Sequence, residues 1–579
     1  MSLPIRLLGA MLLISAVPCL SDTVYYVDSL VGNDTFSGKL PDLNAQRTDG
    51  PWKSLKKVAD SSKNFLPGDT IRFRRGQTFY TFFNAVLQSN GSQFKPITYT
   101  SYGDPGLSRP VLTNSKDIRT EASKWAAVAD RPGIYTYAYE GCYVQQIWEN
   151  GVPLRRATTS ALIDGRWYFP RFSTHGDCLA AQVSGVIKMY YAPSAGAPEL
   201  QQSLDFANNN FILGIPNRSF LTFDDLAFRH SLNAIYARGK DAPVHNIVFS
   251  NNLIEGVLAG IKLHSVTVDG VVQELRDIEI RDNEFKNIRF AVLEQAIEIN
   301  NGSETADGTT PARSLRVIGN KVRDIAKDGA YTLDDTNPDI EVFSFQNLRD
   351  SVISDNDVRD GLKIKQGLLS AKGAPLASGG AVLWVNPKQT IENIRISRNR
   401  FDNLGKAITM GAGPNYHLVN VIIDNNIISN SENGIRLNSG DSSQASGVFH
   451  NTLYANDISI HLNSGAKNYQ IKNNLNVDAR KYHVWVQESG GFTSVLDHNV
   501  YVSDAPTFHY DDGGNATGKV DLIGLASWQE YAKNQDLKSN AVVSAGFVDA
   551  TPVEAEDFKL IKTSFAVDAG AFITTVTDD

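Results

Sequence analysis

The sequence predicts an all-β solenoid, a stack of short parallel strands wound coil upon coil. Three observations predict it. The stretch VIIDNNIISNSENGIRLNSG (421–440) alternates apolar and polar residues, breaks at an Asn pair and then resumes. Near-copies occur at IRISRNRFDNLGKAITMGAG (394–413) and IVFSNNLIEGVLAGIKLHS (247–265). Aligned on the second residue of each pair, Asn252, Asn283, Asn320, Asn356, Asn399, Asn426, Asn451, Asn474 and Asn499 recur at intervals of 23 to 43 residues. A repeat of this length without a helical period is a solenoid signature. Stacked strands lie about 4.8 Å apart, and a polar side chain inside the stack must be hydrogen-bonded. Asn satisfies that demand because its amide both donates and accepts, and it tolerates left-handed backbone. The Asn rows therefore read as turn ladders, not as ligands.

The chain has 579 residues, 42% of them hydrophobic, enough for a large core. A formal charge of −8 without a basic block argues against nucleic acid as a partner. Residues 1–21 carry Arg6, an apolar run to about Val17 and then small residues, the pattern of a cleavable signal peptide and of a secreted or periplasmic protein. The run is too short for a transmembrane helix, and no later stretch is long and apolar enough. Pro18 before Cys19 is a poor fit to a lipoprotein anchor. Cleavage leaves Cys142 and Cys178, which either pair in an oxidising compartment or stay as buried thiols. His175 and Cys178 alone are too few for a zinc site.

Residues 22–114 read as an N-terminal cap with the first coils, including an amphipathic helix near Ser54 to Ser62. Residues 115–205 break the repeat. Aromatic alternation in YVQQIWENGVPLRRATT (143–159), DGRWYFPRF (164–172) and VIKMYYAPSAG (186–196) suggests a small β-rich insertion. It holds Trp125, Trp148 and Trp167, which form either a second local core or a wall beside a cleft. Residues 206–503 carry the Asn-marked coils, and 504–579 form a C-terminal cap.

The opening segments TVYYVDSLVGNDTFSG, GPWKSLKKVA and FLPGDTIRFRRGQTF (23–79), the Asn-marked coils and the closing DFKLIKTSFAVDAG (557–570) resemble the secreted bacterial right-handed parallel β-helix proteins of the pectate-lyase-like fold. The resemblance implies a right-handed parallel β-helix capped at both ends and a carbohydrate-active protein. It specifies fold better than chemistry.

Alternate residues of a stacked strand face outward. If Ile and Leu point in, the strand after each Asn turn presents Tyr236 and Arg238, Lys262 and His264, Glu298 and Asn300, Thr332 and Asp334, Trp384, Thr409, Arg436, His461 and Trp485 along one stripe. The longest coils carry NGSETADGTTPA (301–312), DDTNPDIEVF (334–343) and GLKIKQGLLSAKGAPLASGG (361–380). Long loops in compact proteins tend to be functional. Glycoside hydrolysis uses two carboxyl groups, and adjacent coils bring such groups within reach of one another. The catalytic candidates are Glu298 with Asp334 or Asp335, with Glu294 and Asp339 in reserve. The substrate-binding candidates are Lys262, His264, Asn300, Trp384, Arg436 and His461.

The same stripe supports a polysaccharide lyase, with Ca²⁺ or Arg and Lys neutralising a uronic-acid carboxylate and a basic side chain abstracting the proton. It also supports a non-catalytic glycan-binding or cell-surface protein, with Trp384 and Trp485 stacking on sugars. Asp334-Asp335 is present, but the Gly-His-Gly and Arg-Ile-Lys motifs of polygalacturonases and the WxDH and RxPxxR motifs of the best-known pectate lyases are not. No metal ligands are assigned, and Ca²⁺ enters only with the lyase reading. The expected partner is a polysaccharide, and the expected state a monomer.

Overall fold

The computed structural model describes residues 22–573, with its longer breaks at 171–187, 300–311, 326–340 and 362–380 and shorter ones elsewhere. For strands Ala291–Ile299 and Ala381–Val385 it describes the backbone alone. Cys142, Cys178, His175, Asn300, Asp334, Asp335 and Asp339, for which the sequence raises expectations, lie outside the described residues, as do residues 1–21.

Three long parallel sheets run the length of the solenoid, with 15, 13 and 14 strands. One coil shows the plan. Val244–Ser250 belongs to the first sheet, Leu253–Glu255 to the second and Ala259–Val268 to the third. The next coil repeats it with Leu275–Arg281, Glu284–Lys286 and Ala291–Ile299. Each strand pairs in parallel with its counterpart one coil on, Ile247 beside Ile278 and Ile261 beside Leu293. Inward-facing Ile247, Phe249, Ile254, Ile261 and Leu263 are fully buried and join one apolar cluster that spans the coils.

What bends each coil is a set of left-handed residues spaced five apart. Asn246, Asn251 and Gly256 have φ of 52°, 53° and 61°, and Asp277, Asp282 and Asn287 have φ of 54°, 56° and 51°. The pattern recurs at Asp350, Asp355 and Asp360 and at Asn420, Asn425 and Asn430. Asn and Asp enter this region at lower cost than other side chains with a Cβ. The left-handed member at the turn from first to second sheet is the residue before each ladder Asn. The ladder Asn supplies hydrogen bonds rather than the unusual φ, which refines the expectation from sequence.

All nine ladder residues stack in one buried column. Asn426 shows the bonding. Its backbone N and its Nδ2 both donate to Asn451 Oδ1, at 3.0 and 2.9 Å, and Nδ2 also donates to the Ile396 carbonyl at 2.9 Å. Its own Oδ1 accepts from Asn399 N and Nδ2, both at 3.0 Å. The column ends where Asn499 donates through N to Ser539 Oγ at 2.8 Å and through Nδ2 to Asp536 Oδ1 at 3.2 Å. Asp536 also accepts from Trp528 Nε1 at 2.8 Å and from the Tyr501 hydroxyl at 3.1 Å. Burial pushes this carboxyl's pKa up, and these donors oppose the rise.

The ends are closed. Helix Leu55–Ser61 is N-capped by Ser54, whose side chain accepts from Lys57 N, and it buries Leu55, Val58 and Ala59 on the core. At the other end helix Leu525–Tyr531 lays Trp528 flat on Phe508, 5.1 Å between ring centres and 5° between planes. The chain then folds back over the second sheet. Ala545, Phe547 and Leu560 pack on Leu475, Val477, Val500 and Val502. Glu554 pairs with Arg359 and Arg400, each at 2.8 Å, and the hydrogen bonds from Arg359 and then Arg400 pull its pKa down to about 2.

The segment from 114 to 210 interrupts the connection between a second-sheet strand, Val111–Thr113, and a third-sheet strand, Phe211–Pro216. It forms two small sheets around a separate cluster that includes Tyr137, Ile147, Trp167, Met189 and Phe206. Trp148 and Trp167 are fully buried, so neither offers a face to a sugar. His230 anchors the segment to the coils, with Nδ1 at 2.8 Å from Asp205 and its ring stacked on Trp148 at 5.2 Å.

Replacing Asn426 by Leu strands the Ile396 carbonyl and the donors of Asn399, and is expected to cost about 3 kcal/mol. Replacing neighbouring Asn425 by Gly keeps a residue that accepts φ of 56°, and is expected to change stability by less than about 0.5 kcal/mol. Denaturant unfolding of the two variants checks both.

Candidate functional site

The outward face of the third sheet gathers most of the stripe. Backbone register places Tyr236, Lys262, Glu294 and Ser344 in one row across successive coils. The row continues through Trp384, Thr409, Arg436, His461, Trp485 and His509. A parallel row two residues on holds Arg238, His264 and Ala296. Lys262 and His264 are half-buried neighbours on one strand, and Arg436 and His461 occupy consecutive coils.

One position differs from the sequence expectation. Glu298 is opposite Val266, while Glu294 is the residue opposite Lys262. Both remain on one strand and share its alternation, but the row belongs to Glu294. In the following described third-sheet strand, Glu341–Phe345, Ser344 takes the row position, and the expected stretch around Thr332 and Asp334 lies outside the described residues. The strand starts late because the connection from Lys321–Arg323 is long. Trp384 has the expected row position.

At the C-terminal end of the row, flat groups stand on edge and stack along the solenoid axis. The His461 ring lies on Trp485 at 4.4 Å and 14°, and His509 meets the other side of Trp485 edge-on at 5.1 Å. His461 thus covers one face of Trp485, the side chain that the sequence offers as a sugar-stacking platform. His461 Nε2 donates to Gln487 Oε1 at 2.9 Å, and Gln487 Nε2 donates to Asp511 at 3.3 Å. His509 is 2.5 Å from Asp521 on the antiparallel strand Lys519–Ile523, which closes the sheet. This hairpin carried no Asn signal, and sequence reading missed it.

Electrostatics follow from burial. His461 is 5% exposed, and its pKa is pushed down to about 4, first by desolvation and then by Arg436, His509 and Lys406 against the Gln487 bond. Burial alone lowers the Arg436 pKa. At the N-terminal end Tyr236 is stacked on Phe211 at 5.6 Å, with its hydroxyl 3.5 Å from His264 Nδ1. Among the described residues no three His, Cys, Asp or Glu side chains cluster as a metal site. No described helix is long and apolar enough to cross a membrane.

A family model agrees with this architecture. Residues 295–476 match the family model described as "Right handed beta helix region". The chain is a right-handed parallel β-helix. A lacto-N-biosidase of Bifidobacterium longum subsp. longum is 31% identical over 105 residues, which is 18% of this chain and 6% of that protein. Among solved structures, XylC in complex with xylose is 12% identical with a TM-score of 0.49, covering 84% of this chain and 72% of its own. Pectate lyase Pel9A is 12% identical with a TM-score of 0.40, covering 96% and 94%.

Because His461 is held neutral, its contribution to stability has a defined sign. The unfolded chain binds a proton near pH 6.5 and the folded chain only near pH 4, so stability present above about pH 6.5 is lost as pH falls towards 4. His483, also lowered to about 4 by burial, adds to the same loss. Substituting His461 by Asn is expected to flatten, but not abolish, the fall in melting temperature between pH 6.5 and 4. A His461 ring resonance that titrates near 6.5 in the folded protein would contradict this.

Proposed function

We propose that the chain is a secreted or periplasmic carbohydrate-active enzyme, a glycoside hydrolase that cuts a polysaccharide laid along the third sheet. The observation that carries the reading is the register of strand Ala291–Ile299, which sets Glu294 beside Lys262 and brings Glu298 onto the same strand. Carboxylates from this strand together with Asp334 or Asp335 supply an acid and a nucleophile or base. Adjacent coils are spaced at about 4.8 Å, within reach of the separation retaining enzymes use, and the coil after that at about 10 Å, close to inverting separations. Like charges at that distance raise the pKa of one member and make it the acid. The stretch of sequence shared with a lacto-N-biosidase supports hydrolysis.

Lys262 and His264 favour a second reading. A cation and a base on the coil next to Glu294 are the groups a lyase needs, one to neutralise a uronic-acid carboxylate and one to take the neighbouring proton. Carboxylates between 294 and 339 would be the ligands if Ca²⁺ assists.

Both are tested on the mature chain with neutral and uronic-acid polysaccharides, with and without a chelator. New reducing ends without near-ultraviolet absorbance, lost by at least about a hundredfold in Glu294→Gln or Glu298→Gln, are the expected result. Unsaturated products that absorb in the near ultraviolet, surviving both substitutions and failing in Lys262→Ala or His264→Ala, would replace hydrolysis by elimination. Neither product on any polymer would leave a glycan-binding protein.

A further inference from the structure

The described ion pairs neutralise most of the half-buried arginines of the coils. Arg395 pairs with Asp424, Arg323 and Arg359 with Asp357, and Arg400 with Glu554. Arg436 breaks this rule. It is half-buried on the third sheet, desolvation is what lowers its pKa, and it makes no hydrogen bond or ion pair with any described residue. Its Nε is fully enclosed without an acceptor, whereas its two terminal nitrogens are not among the enclosed atoms. Neighbours on both sides worsen its position. Thr409, one coil before, offers a buried hydroxyl that also lacks a partner, and His461, one coil after, is neutral and turns its Nε2 to Gln487.

A guanidinium stripped of part of its hydration and given no counter-charge is costly to the protein by itself. The cost is relieved by an anion that approaches from the open side. Guanidinium nitrogens match a carboxylate or a sulfate ester two at a time. We propose that Arg436 is an acidic-sugar subsite, which makes the substrate an anionic glycan bearing carboxylate or sulfate groups. The inference rests on the third sheet being the glycan-binding floor. Arg436 is four coils from Glu294 along the row, about 19 Å at the strand spacing. A pyranose ring is about as long as one such spacing, so the recognised anion is carried by a sugar some four rings from the bond that is cut. Arg436 is thus a specificity residue and takes no part in bond breaking.

The test is binding of three hexasaccharides to the full mature chain: an oligogalacturonate bearing carboxylates, a κ-carrageenan oligosaccharide bearing sulfates, and neutral xylohexaose. The wild type is expected to bind at least one anionic probe tenfold or more tighter than the neutral one, and which probe is preferred identifies the anion. Arg436→Gln is expected to erase that preference, and Arg436→Lys to keep part of it. An unchanged preference in Arg436→Gln, or no anionic preference in the wild type, overturns the proposal. The melting temperature of unliganded Arg436→Gln is expected to equal or exceed that of the wild type, because an uncompensated charge is removed. A clear fall would make Arg436 a structural residue and overturn it as well. The double variant Glu294→Gln, Glu298→Gln separates the two readings. Anionic preference retained with catalysis unaffected would refute the catalytic strand while leaving the subsite intact.

Discussion

The amide-to-amide hydrogen bond between successive Asn side chains is the interaction on which the rest depends. Each ladder Asn ties three places together: the backbone of its own turn, the carbonyl of a strand one coil back and the amide of the coil ahead. A buried polar group so fully used is stabilising, and half used it would be a liability. Coil lengths vary from 23 to 43 residues between ladder positions, yet the turn never moves. Variation is therefore pushed to the connections on either side of the third sheet, which is where the long segments and the 114–210 insertion occur.

The same regularity decides how much could be read from the sequence. The ladder was legible because its residue type is set by hydrogen-bond count, which few side chains besides Asn satisfy. The cap helix was legible from Ser54 and the spacing of Leu55, Val58 and Ala59. The left-handed residues, five apart, were written in the sequence as Asn, Asp and Gly, but members such as Arg398 and His450 obscure the pattern. The chain reversal at Lys519–Ile523 and the return over the second sheet left no repeat to detect.

The site was legible only in part, for a physical reason. Outward parity along a strand is a local property, and it found Lys262, Trp384, Arg436 and His461 in their row. Register between coils is not local. Where the connections lengthen, nothing in the chain says where the next strand begins, so local parity alone does not tell that Glu294 rather than Glu298 stands opposite Lys262. The stacking of His461 on Trp485 and the lack of a counter-charge at Arg436 among the described residues depend on three-dimensional neighbours, and a residue list does not contain them.

The return of the C-terminal segment over the second sheet has a kinetic meaning. A solenoid whose contacts join only adjacent coils can unravel from an end, one coil at a time. Glu554 bridges Arg359 and Arg400, on two adjacent coils in the middle of the stack, across 195 and 154 residues of sequence. The terminal coils cannot fray without either breaking this strap or taking the middle of the stack with them. Opening the end becomes a cooperative event instead of a local one. Where proteases cut only the opened chain, slow opening counts for more than equilibrium stability. One exposed glutamate thus joins the last folded segment to the centre of the chain and delays its unravelling.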